Sequence, residues 1–162
     1  MTMKPTVIAA TLLALAPVLA LGACHRDAKN STTASIETDG VKATVEITDP
    51  WCRPTPNGAQ AGACYLTIRS SHDNTMTGVA TPLAANAMIH DMSMANGMMT
   101  MSDMAAGLPL KGGEKVELKP GGKHLMLTGL TGPLTEGAAV PLTLTFSDTP
   151  AMTVQAPVRQ PK

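Results

Sequence analysis

Seven of the chain's twelve methionines fall in one run, Met88-Ile-His-Asp-Met-Ser-Met-Ala-Asn-Gly-Met-Met-Thr-Met-Ser-Asp-Met104. The same run holds His90-x-Met92, and a second His-x-Met unit stands at His124-Leu125-Met126. A His and a Met two apart on a strand leave the same face, about 7 Å apart at Cα. Thioether sulfur is a soft donor and imidazole an intermediate one, so two imidazoles with thioethers match Cu(I). Ca²⁺ and Mg²⁺ want carboxylate oxygens, and Zn²⁺ takes Cys, His and carboxylate. A blue-copper electron-transfer site needs a Cys thiolate beside its two His, and this region has no Cys. Neutral ligands favour the reduced ion, which suits carrying copper more than passing electrons. The competing reading is packing, since Met fills irregular gaps in cores. Against it stands the coincidence of two His-x-Met units. His25 and His72 lack such company and read as tether or surface residues.

These side chains need strands to position them. Asn96-Gly97 is the strongest short hairpin signal, because a type I′ turn needs positive φ at both central residues. With that turn Ala95 pairs with Met98, Met94 with Met99, Met92 with Met101 and His90 with Asp103. His90, Met92, Met94, Met99 and Met101 then share one face, and a wider turn would shift the register. Asp91, Ser93, Thr100 and Ser102 fall on the other face, with Ile89, Met98 and Met104. His124 and Met126 follow a Lys119-Pro-Gly-Gly122 turn that would bring them over the hairpin.

Elsewhere the period of two recurs. Val41, Ala43, Val45 and Ile47 alternate with polar residues up to Asp49-Pro50, where the strand is expected to end. Further strands are expected at 64–69, weakly after 77, at 115–118, 124–127, 140–146 and 152–158. Gly 14 and Pro 13 in 162 residues also disfavour a helical bundle. The expectation is one all-β domain over 41–158, a Greek-key β-sandwich of about seven to nine short strands, with a short tail at 159–162. Twelve Lys+Arg balance twelve Asp+Glu, which excludes a basic field for nucleic acid. One Trp, one Tyr and one Phe cannot build stacking platforms. No nucleophile motif, phosphate loop or carboxylate dyad is present, so an enzyme is not expected.

The first 23 residues carry one cation, Lys4, and an uncharged apolar run, a secretory-signal pattern. Leu21-Gly22-Ala23-Cys24 resembles the lipobox of bacterial lipoproteins, which implies cleavage before Cys24 and its acylation. His25 in place of Asp implies the periplasmic face of the outer membrane. The alternative is plain secretion with Cys24 incidental. Residues 24–40 are polar and read as the acylated Cys and a flexible tether. Setting Cys24 aside leaves Cys52 and Cys64, which in an oxidising compartment read as a disulfide or, alternatively, as two thiolate ligands.

His90-x-Met92, Met101 and Lys119-Pro-Gly-Gly-Lys-His124-Leu-Met126 resemble the PCu(A)C family of periplasmic copper chaperones. Ten residues separate His90 from Met101, as in that family, and twenty-two separate Met101 from His124, one more than usual. Asp49-Pro-Trp51-Cys-Arg53 and Gly62-Ala-Cys-Tyr65-Leu66 extend the likeness to roughly 40–158. The resemblance implies a cupredoxin-like, Ig-like sandwich. It implies one Cu(I) per chain on His90, Met101, His124 and Met126, with Met92, directly opposite Met101, in reserve. It also implies a monomer that delivers copper by ligand exchange towards the CuA subunit of cytochrome oxidase or a Sco-type protein. The two Cys stand where small residues are expected, an addition that suits a disulfide. Two other functions compete: a copper- or silver-sequestering tolerance protein, and a structural lipoprotein with a Met-rich core.

Overall fold

The computed structural model describes residues 31–38, 41–95 and 97–161; the expected signal, Cys24 and the start of the tether lie outside them. The described residues form strands and turns, with no helix among them. In chain order the strands are β1 (Ser31–Thr38), β2 (Val41–Cys52), β3 (Ala61–Ser70), β4 (Asn74–Ala80), β5 (Ala84–Ala95) and β6 (Met98–Asp103). They continue as β7 (Leu108–Leu110), β8 (Lys115–Leu118), β9 (His124–Leu130), β10 (Ala139–Phe146) and β11 (Met152–Pro157).

Two antiparallel sheets result. The larger runs β1-β2-β3-β9-β5-β6 with β8 also on β3, and the smaller runs β11-β10-β4-β7. Alternation decides what lies between them. Cys64, Leu66 and Ile68 of β3, Leu125 and Leu127 of β9, Leu142 and Leu144 of β10, and Val154 and Ala156 of β11 are all within 2% of full burial. Every second residue of these four strands therefore feeds one core. The all-β sandwich expected from the sequence is the architecture observed, with eleven strands.

The additional strands are β1 and the three-residue β7. Ser31–Thr38, expected as part of a flexible tether, pairs with β2 in register from Ser31↔Thr48 to Thr38↔Val41. An edge strand needs only a free row of backbone donors and acceptors, so hydropathy does not announce it. Asp49-Pro50 does not end β2 either. The pairing with β3 shifts between Thr48 and Trp51, and Asp49 sits at φ 49°. That bulge accommodates a proline, which has no ladder donor, and lets the strand continue. Beyond it Cys52 and Cys64 are direct partners joined by a disulfide, with Cα atoms 4.0 Å apart.

β8 and β9 do not form a hairpin. Leu66–Arg69 of β3 pair with Leu118–Lys115 of β8, and Ala61–Cys64 pair with Thr128–Leu125 of β9. The two strands follow one line along β3, and residues 119–123 leave that line and return to it opposite Tyr65. Lys119 N donates to Lys123 O at 2.8 Å and closes the excursion.

Candidate metal centre

The outer face of the larger sheet, turned away from the core, gathers the residues in question. β9 pairs with β5 so that His90 lies directly opposite His124 and Met88 directly opposite Met126. Direct partners share a face, and so do residues two apart, so these four side chains form one block. β6 adds Asp103 opposite His90, Met101 opposite Met92 and Met99 opposite Met94. This is the register expected from an Asn-Gly turn. Gly97 has φ 77°, which glycine adopts without a Cβ penalty, while Asn96 lies outside the described residues.

The two imidazoles stand edge to face with centroids 5.7 Å apart. Met101 Sδ lies 3.0 Å from His90 Nδ1, so a hairpin sulfur and a sheet nitrogen already meet. His124 is 5% exposed, and its Nδ1 lies 2.9 Å from the Gly122 carbonyl oxygen. A carbonyl only accepts, so Nδ1 carries the hydrogen and donates it, and in the neutral ring Nε2 then keeps the lone pair. The 119–123 excursion therefore orients the ring it precedes. Lys123 and Asp91, 3.3 Å apart, tie the same loop to the hairpin.

Aromatic rings support the block from the β3 side. Tyr65 lies 6.5 Å from His124 and 4.5 Å from Trp51, centroid to centroid. Arg159 caps Trp51, its Cζ 4.6 Å from the ring centroid, while its Nη2 donates to both carboxylate oxygens of Asp49 at 3.1 Å. Burial pushes the Tyr65 hydroxyl above its ordinary 10.0, with the Arg53 charge pulling the other way.

Among the described residues no three of His, Cys, Asp and Glu converge as a metal-binding group. Any ion held here must rely on thioethers, which selects a soft one. Thiolates are not on offer on this face, because Cys64 is opposite Leu125 on the core side and is bonded to Cys52. His90, Met92, Met101, His124 and Met126 are thus brought onto one face, with Met94 farther along the hairpin. Met88 was not among the expected ligands. Its position two residues before His90 is the signal that places it there.

Two imidazoles among aligned thioethers on the outside of a β-sandwich define a soft-donor sheet face on an all-β scaffold. The chain belongs to the family described as "Putative lipoprotein LpqE-like", whose model matches residues 45–158. "Putative lipoprotein Lxx21020" of Leifsonia xyli subsp. xyli is 31% identical over 127 residues, covering 78% of this chain and 76% of that one. Among solved structures, the apo PCuAC domain from PmoF1 superposes with a TM-score of 0.60 at 20% identity, over 72% of this chain and 94% of that one. The copper-bound PCuAC domain from PmoF2 gives 0.59 at 21% identity, over 72% and 93%. The sandwich is the fold of these PCuAC domains.

Proposed function

We propose that the chain carries Cu(I) on the His90, Met101, His124 and Met126 side chains and passes it by ligand exchange to a copper-accepting protein of the bacterial envelope. The observation that carries this reading is the direct pairing of His90 with His124, with Met101 Sδ 3.0 Å from His90 Nδ1. A bound metal on a solved domain of the same fold supports copper as the cargo. The donor set supplies two nitrogens and two sulfurs without charge, which stabilises Cu(I) over Cu(II). Met101 is 52% exposed on the hairpin while His124 is buried in the sheet, so an incoming donor displaces the sulfur first. Delivery towards the CuA subunit of cytochrome oxidase or a Sco-type thiol protein follows from the family resemblance.

The lipoprotein descriptions of the family and of the relative support an acylated Cys24, residue 24 lying outside the described part of the chain. The polar residues that follow it would hold the domain near the outer membrane.

Anaerobic titration with Cu(I) against a competing chelator tests the site. Wild type should hold one ion tightly, and a His124→Ala/Met126→Ala variant should lose at least about a hundredfold in affinity, as two ligands disappear. Equal affinity in the two proteins overturns the assignment. X-ray absorption of the Cu(I) form should show nitrogen and sulfur scatterers together. A second reading, sequestration for metal tolerance, draws on the exposed methionines in excess of the four ligands. It predicts metal-induced expression, whereas delivery predicts an oxidase defect on deletion.

A further inference from the structure

We infer that the outer part of the β5–β6 hairpin is a second soft-ion site, made of thioethers alone: Met92, Met94 and Met99. It goes beyond the two-histidine reading and borrows from it only the allocation of Met101 to the first ion.

Beyond the His90↔His124 pair β5 has no strand partner but β6 among the described residues, its one other tie being the Asp91–Lys123 ion pair, and every residue of β6 is exposed. Neither face of this arm is covered by the core, yet the two faces differ in chemistry. Ser93, Thr100 and Ser102 occupy one, and Met92, Met94, Met99 and Met101 the other, with Met98 the single thioether on the hydroxyl side. Packing does not account for Met94, Met99 and Met101, which are 65%, 52% and 52% exposed, while Met92 at the base of the arm is partly buried. A solubility argument would place polar residues on both faces.

The register does account for it. Met94 and Met99 are direct cross-strand partners, with Cβ atoms about 5 Å apart, and Met92 is the next residue on the same face, about 7 Å along the strand. A Met side chain has three rotatable bonds and carries its sulfur beyond Cγ, so three sulfurs at these spacings converge on a point above the strand pair. Three uncharged sulfurs suit Cu(I) or Ag(I) and offer nothing to a hard cation. This second site is weaker than the first because it has no imidazole and lies on an uncovered arm.

Ag(I) is the probe, since it is soft and does not change oxidation state in air. Native mass spectrometry counts ions per chain, and [ε-¹³C]Met spectra identify which methyl groups move. Wild type should bind two Ag(I). Met94→Leu/Met99→Leu should bind one, with the Met101 and Met126 methyl groups still shifting. His90→Ala/His124→Ala should also bind one, with the Met92, Met94 and Met99 methyl groups shifting. A single ion on wild type overturns the inference, as does a second ion retained by the Leu variant. If the His variant matches wild type while the Leu variant loses an ion, the thioether site stands and the two-histidine reading fails. Leu is close to Met in volume and the positions are exposed, so the variant should keep its fold, which circular dichroism checks.

Discussion

Over residues 84–90, β5 is held by β9, and Ile89 is 4% exposed against the core. Over 91–95 the same strand has only β6 beside it, and the Met94 side chain is 65% exposed. Inside the sheet, folding dictates residue type, because an inward side chain must fill space and exclude water. On the arm folding dictates little, so the residue types record another requirement. An inward side chain such as Ile89 needs no functional explanation; a row of exposed methionines in the second half does.

The sharpest contrast to draw is energetic. Leu127→Ala, at a fully buried inward position of β9, should cost about 2–5 kcal/mol in denaturant unfolding, whereas Met94→Leu on the arm should change stability by less than about 0.5 kcal/mol. Comparable costs would mean that the arm packs against something and would dissolve the distinction. Next in size, the Cys52→Ala/Cys64→Ala variant should lose about 3 kcal/mol, since the bond closes a 12-residue separation beneath the site. Its Ag(I) count should stay that of wild type, because the sulfurs lie on the core face.

A smaller effect belongs to Tyr65, which supports the block between the two regions. Its hydroxyl titrates above 10.0 when folded because burial disfavours the phenolate. The unfolded chain therefore loses this proton first as pH rises. Stability is fully present below about pH 10 and declines from there towards the raised folded value. Tyr65→Phe should remove this decline in a series of alkaline melting curves. The chain has one Tyr, so absorbance titration near the phenolate band reads this group directly. His124→Gln should cost a modest amount of stability, about 0.5–1.5 kcal/mol, where the Gly122 bond is lost, while metal affinity falls far more. Equal losses in the two measurements would make His124 a packing residue.

The hairpin was readable because a two-residue turn fixes its own register: Asn96-Gly97 numbered every pair from Ala95↔Met98 to His90↔Asp103. The pairing of Cys52 with Cys64 followed from counting cysteines. What stayed hidden was long-range. Nothing local to residues 88–104 or 124–126 says that β9 lies between β3 and β5, which is what sets His90 against His124 and Met88 against Met126. Pro120-Gly121-Gly122 looked like a reversal, yet β8 and β9 keep one direction along β3, because loops of that composition can bulge from a line as easily as turn it. β1 is not legible in the sequence because backbone pairing at a sheet edge leaves no apolar period behind.

The ring stack under the block has a use in the cuvette. Trp51 is the sole indole of the chain, so all tryptophan emission comes from one place. That place is two ring contacts, 4.5 and 6.5 Å, from His124. The protein therefore brings its own optical label, and events at His124 can be followed in real time on the unmodified chain.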